Sequence, residues 1–179
     1  MSEVNLENWF QRIDRITEEV ISNFGNLTFD QLNKKPSSDS WSIAQHLDHL
    51  IVINSSYYPV IESAQSGELS LSWTGKVGFL VRFFGRAILK GVEPTNKKKT
   101  KTFPIWEPES SDIDSGIIER FTQHQEELKE LIRSSKDLIA SNAVIPSPAN
   151  KSINYKVGDA FEIIVTHEKR HVNHALSLL

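Results

Sequence analysis

The 179 residues suit a single domain, 1–179, long enough to bury a core of its own. With 39% hydrophobic and 24% charged residues, the composition excludes a disordered chain, a collagen-like repeat and a coiled-coil rod. A net charge of −3 gives no global attraction to nucleic acid or anionic membrane, and the lack of cysteine excludes disulfides, thiolate ligands and a cysteine nucleophile.

Residues 1–10 carry Glu3 and Glu7 and no apolar run, so they do not read as a signal peptide. No stretch reaches the ~18 apolar residues that span a bilayer. A soluble, cytoplasmic protein without membrane insertion is expected. The first predicted helix covers about 4–24, where Trp9, Ile13, Ile16, Val20 and Phe24 recur at three- and four-residue steps before Gly25. A loop through Lys34, Lys35 and Pro36 follows. The second helix starts near Ser40 or Ser42, whose hydroxyls can accept from the free N–H groups of a first turn. It presents Ile43, Leu47, Leu50, Asn54, Tyr57 and Ile61 on one face as far as Gly67, and Pro59 is expected to kink or interrupt it.

Residues 68–108 are the least regular. A short helix over 77–89 is weakened by Gly78 and Gly85, and a loop with Pro94, Lys97, Lys98, Lys99, Lys101, Pro104 and Pro108 follows. The third helix, about 111–135, has the stripe Ile113, Ile117, Phe121, Leu128, Leu131 and Ile132. Pro146, Pro148 and Asn150 then prevent helix until the fourth, from about 157 to the C-terminus, with Phe161, Ile164, Val165, Val172, Ala175 and Leu176 apolar. Strand-like alternation is scarce. The pattern predicts an all-α chain, a four-helix bundle with a long irregular connection between its second and third helices. Each helix needs its apolar stripe covered by the others.

Five of the six histidines fall on two of these helices. At ~100° per residue, His167, His171 and His174 lie within about 60° of one another on the last helix. Imidazoles one turn apart can reach a single ion, and an interhelical site needs a further ligand from a facing helix. The second helix offers His46 and His49. Six histidines produce one chance pair four apart in roughly one chain in six, so the second cluster is what points to a divalent metal. His167-Glu168-Lys169-Arg170-His171 also fits the zincin pattern, with the glutamate as general base. Zincins take their third ligand from downstream, where only residues 172–179 remain, so protease chemistry is not expected.

The segment 76–101 is basic. Arg82, Arg86 and Lys90 fall at steps of four beside Phe79, Leu80, Phe83, Phe84, Ile88 and Leu89. That amphipathic pattern fits an anionic ligand or a membrane surface. It fits better a lid or dimer-contact segment whose apolar side covers the bundle. No nucleic-acid motif accompanies the charge, so no nucleic-acid partner is expected.

The run Trp41-Ser42-Ile43-Ala44-Gln45-His46-Leu47-Asp48-His49-Leu50 resembles the second helix of the DinB/YfiT-like superfamily. That helix opens with Trp-Ser-Ile and carries a ligand histidine eight residues after the tryptophan, here His49. The last helix of the family supplies two histidines four apart, often within His-x-x-Arg-His, matched by His167, Arg170 and His171. Lys156-Val157-Gly158-Asp159-Ala160-Phe161, Tyr57-Tyr58-Pro59 and the loop 97–108 also look familial. The resemblance spans nearly the whole chain, and the two histidine motifs are its parts specific to function. It implies a four-helix bundle with an open three-histidine site, His49, His167 and His171, for zinc, nickel or a similar divalent ion. It further implies a metal-dependent enzyme acting on a small molecule by thiol-transfer or hydrolytic chemistry, an S-transferase, isomerase or hydrolase. A low-molecular-weight thiol is then a candidate cofactor and a homodimer a candidate assembly. The alternative is a non-catalytic metal- or ligand-binding bundle, stress-related in role.

By helical phase alone His46 lies nearer the centre of its stripe than His49, so periodicity selects His46 where the family spacing selects His49. The family pattern requires neither His46 nor His174. Asp48 and Glu168 adjoin the expected ligands and can orient them or shuttle protons, but read more simply as surface carboxylates. His124, among Gln123, Gln125 and Glu126, reads as solvated.

Overall fold

The computed structural model describes residues 3–96, 102–108, 112–114 and 116–179. Helix α1 (Glu3–Phe24) buries Trp9, Ile13, Ile16, Val20 and Phe24, the stripe its periodicity predicts. Next comes a short helix, α2 (Phe29–Asn33), opened by a capping box in which Thr28 and Gln31 exchange side-chain-to-backbone bonds. The Asn33 amide donates to the Ile113 carbonyl at 2.8 Å and accepts from its N–H at 2.8 Å.

The predicted second helix is two. Helix α3 (Ile43–Ser55) starts at an N-cap on Ser42, with Gln45 completing a second capping box. The chain turns at Ser56 and Tyr57, and α4 (Tyr58–Gln65) resumes with Pro59 in its first turn. Proline has no N–H to give and is tolerated there, so the interruption falls just before it. Gly67, at φ +77°, ends α4, with the Glu68 N–H bonding the Ser63 carbonyl in a Schellman turn.

Helix α5 (Gly78–Val92) lies in the long connection and packs on α8 (Val157–Leu176). Gly85 is what permits this approach: a Cβ there would sit 2.8 Å from the Asp159 carboxylate. Val81 is buried, but Phe79 and Phe83 stay 65% and 61% exposed, so much of the apolar face of this basic segment is uncovered. Lys97, Lys98, Lys99 and Lys101 of that segment lie outside the described residues.

Helix α6 (Ile117–Ser134) begins later than the periodicity predicts. The expected start at 111 lies outside the described residues, and Ile113 is buried in a non-helical stretch held by Asn33. After α6 come a short α7 (Lys136–Ala140) and an antiparallel hairpin, β1 (Val144–Ser147) with β2 (Asn150–Lys156). The hairpin is a departure from an all-helical expectation. Asn142, at φ 55°, turns the chain out of α7 through a second Schellman pair, Asn142 to Ile139 and Ala143 to Leu138. Strand β2 then runs straight into α8.

The protein is thus mostly helical, with one small sheet. Helix α1 packs against α6 and α8, and α3 packs against the same two. The ring encloses Ile13, Val20, Leu47, Leu50, Ile117, Phe121, Leu128, Phe161, Val165 and Val172. At roughly 1.5–3 kcal/mol for each large side chain fully removed from water, this core holds α3 and α8 side by side. Among the described residues no helix is long and apolar enough to cross a membrane.

Candidate metal centre

The Ser42 cap fixes where α3 begins, so His46 and His49 stand in its first two turns, on the side that meets α8. Opposite them, α8 presents His167, His171 and His174. Among the described residues, ring nitrogens of His49, His167 and His171 lie within 4.8 Å of one another. Those of His46, His171 and His174 do the same, with His171 common to both groups. The ring centroids of the first trio stand 5.3 Å (His49–His167), 4.7 Å (His49–His171) and 4.3 Å (His167–His171) apart. Trp41, the residue that opens the motif, lays its ring against His46, His49 and His171 at centroid distances of 5.4, 4.8 and 5.8 Å.

His49 is the deepest, 1% exposed, and its Nδ1 lies 2.7 Å from the Trp106 carbonyl. A carbonyl only accepts, so Nδ1 carries the proton and the lone pair is on Nε2. Such a contact fixes tautomer and ring orientation, as partners of metal-binding histidines do. Trp106 comes from the long connection, where a single 3₁₀ turn (Pro104–Trp106) rests on α3, and its indole N–H donates to Ser56 Oγ at 3.2 Å.

Burial pushes the pKa of every one of these imidazoles down. His167 and His171 lie well below the ordinary range, mainly through desolvation and then through the neighbouring histidines. His49 is lowered by desolvation, with the Trp106 carbonyl pulling the other way. His46 falls to about 3, through burial and then His174 and His49. Neutral imidazoles offer lone pairs with no proton to displace. Three nitrogens on one tetrahedral ion sit about 3.3 Å apart, so small ring rotations bring the trio onto a single divalent cation. These three histidines could therefore hold a metal ion.

The family comparison matches the DinB superfamily over residues 12–175. The chain belongs to that superfamily. Comparison with curated proteins and with solved structures gives no match. Against the DinB pattern, His49, His167 and His171 come together, and His46 joins the cluster one turn earlier on α3, its Nδ1 3.0 Å from His171 Nδ1. Helical phase selects His46 and family spacing selects His49; both are at the cluster, and His49 is the more buried.

Two expectations change. Glu168 is no surface carboxylate: it is fully buried, accepting from Asn54 Nδ2 at 2.7 Å and Gln125 Nε2 at 3.1 Å. Desolvation raises its pKa to about 7 against the pull of those two donors. His124 is not solvated but 3% exposed, stacked on Tyr58 at a 5.9 Å centroid distance, and burial lowers its pKa to about 4. Both sit where α6 closes the bundle, a placement that local polarity in the sequence conceals. Asp48 is half-buried, with Arg120 3.9 Å away. The Trp106 carbonyl was not foreseeable, because a backbone acceptor leaves no signature in residue type.

Proposed function

We propose that this DinB-superfamily protein holds one divalent ion, zinc or nickel, on His49, His167 and His171 and acts there on a small molecule by thiol-transfer or hydrolytic chemistry. In this reading α1, α3 with α4, α6 and α8 are the four-helix bundle of the family, and the protein works in the cytoplasm. The observation that carries it is the deep His49, with Nδ1 committed to the Trp106 carbonyl, which leaves Nε2 as its lone-pair nitrogen, and with two more neutral imidazoles grouped beside it.

A divalent ion on three neutral imidazoles supplies Lewis acidity at an open coordination position, enough to favour ionisation of a water or thiol near neutral pH. The chain's own residues do the rest. His167 and His171, one turn apart on α8, set the separation of two ligands, and the Trp106 carbonyl holds the third ring in one orientation. Trp41 shields the imidazoles on one side and keeps that side apolar. Glu168 keeps α3, α6 and α8 in register behind the histidines through Asn54 and Gln125.

The test is reconstitution with zinc or nickel followed by a screen of low-molecular-weight thiols with electrophilic partners and of small esters and amides. Turnover that requires metal and disappears in His49→Ala supports the reading. Stoichiometric metal with no turnover of either class contradicts the catalytic part and leaves a metal-binding bundle.

A further inference from the structure

The family site needs three histidines, and this chain gathers five at one place. Those to be explained are His46 and His174. His46 and His171 turn their Nδ1 atoms toward each other at 3.0 Å, near the separation of about 3.3 Å that two nitrogens keep on one tetrahedral ion. The His174 ring closes the group, with centroids 5.9 Å from His46 and 5.8 Å from His171. One nitrogen from each lies within 4.8 Å of the others, as in the inner trio, while the outer rings stand farther apart, 5.2–5.9 Å between centroids against 4.3–5.3 Å. The two trios differ in depth: His174 is exposed, His46 and His171 are half-buried, and His49 is buried.

We infer that His46, His171 and His174 form a second, outer position for a divalent ion, which captures the ion at the surface and hands it through His171 to the inner trio. His171 is what links the two. A neutral imidazole has one lone-pair nitrogen, so His171 serves one ion at a time and the positions exclude each other. In the empty protein one of the two neutral rings donates its Nδ1–H to the other ring's Nδ1, and when an ion seats outside that proton moves through solvent to the donor ring's Nε2, so that both Nδ1 lone pairs face the ion. Apart from that shift of one ring proton, no covalent bond is made or broken in the transfer. The route also answers a physical difficulty: His49 is sealed beneath Trp41 and Trp106, and an ion must shed most of its water to reach it. Exchanging water for imidazole first at an exposed ligand divides that cost into steps. The direction of transfer rests on the inner trio being the resting site; the existence of the outer position does not.

The probe is cobalt(II) alone, followed by its visible absorbance and by metal content after gel filtration. Wild type is expected to bind one equivalent. His49→Ala/His167→Ala, checked for native helicity, is expected to keep one equivalent with weaker affinity, and adding His174→Ala should abolish it. No binding by the double variant overturns the outer position, whereas the inner site stands as long as wild type binds one equivalent. Wild type binding none removes the inner site, and the double variant still decides the outer one by the same criterion. A second measurement leaves the inner ligands intact: stopped-flow uptake into His174→Ala and His46→Ala should be about tenfold slower than wild type, with one equivalent bound at the end. Unchanged uptake rates overturn the capture role.

Discussion

His167 and Glu168 are neighbours on α8 and face two different buried polar environments. His167 turns toward α3, where imidazoles meet imidazoles and burial keeps them neutral. Glu168 turns into the bundle, where amides from α3 and α6 each give it one hydrogen bond. On the first side the lone pairs converge with too few protons to satisfy them, which is what a cation needs. On the second side two amide N–H groups meet one carboxylate, which ties three helices together even though Asn54 Oδ1 and Gln125 Oε1 are left without a donor. Buried polarity alone therefore does not mark a functional site. The distinction lies in whether donors link the groups into a strut or lone pairs converge on one point.

The comparison breaks most sharply at Glu168. Glu168→Ala strands the Asn54 and Gln125 amides in the core, and two unsatisfied buried donors should lower stability by about 3 kcal/mol in urea unfolding. Metal content should stay at the wild-type level. Loss of metal in a variant that still folds would mean that the two environments are one site.

Acid gives an effect of similar size. The His124 pKa is about 4 in the folded protein against an ordinary 6.5, so the unfolded chain takes up the proton first as pH falls. Its contribution is intact above pH 6.5, declines through that value and is lost by about pH 4. The metal-free protein should lose about 3 kcal/mol over this window on account of this group, and His124→Asn should flatten the decline. An equally steep profile in the variant would place the titration elsewhere.

Two smaller effects sharpen the contrast between supports and site. Tyr57 and Tyr155 share a buried hydroxyl–hydroxyl bond of 2.7 Å that ties the α3–α4 junction to β2. Tyr155→Phe should cost roughly 1–2 kcal/mol of thermal or chemical stability without touching metal content. Ser42→Ala removes the cap of α3 and should cost about 1 kcal/mol, together with a modest loss of metal affinity as the first turn carrying His46 frays. A full loss of stability with unchanged affinity would show that the cap serves the fold alone.

Much of this was legible in the sequence. Stripes such as Trp9–Ile13–Ile16–Val20–Phe24 are the buried faces, because helical periodicity and burial are the same geometric fact. A serine start at Ser40 or Ser42 and an interruption at Pro59 were readable from local chemistry, and packing placed the cap on Ser42 and the break just before Pro59. The histidine motifs led to the two helices whose imidazoles come together, but two trios converge there, and phase and family spacing had chosen different histidines on α3. Other features were hidden for identifiable reasons. The hairpin over 144–156 contains Pro146 and a register shift between Pro146 and Ser147, which blur a period-2 pattern. His124 and Glu168 stand among polar neighbours in the chain, and only tertiary packing decides that they are buried. Trp106 acts through a backbone carbonyl brought in by a long connection, and no residue pattern announces that.

The central claim is the three-histidine centre. Its most direct test is elemental analysis of protein purified without an affinity tag, comparing wild type with His49→Ala and His171→Ala. About one equivalent of divalent metal in wild type is expected. His171→Ala, which removes the ligand common to both positions, should have none, and His49→Ala should keep at most one weakly held equivalent that dialysis against a chelator removes. Wild type without metal even after reconstitution with zinc or nickel, or full retention of metal in both variants, would contradict the account.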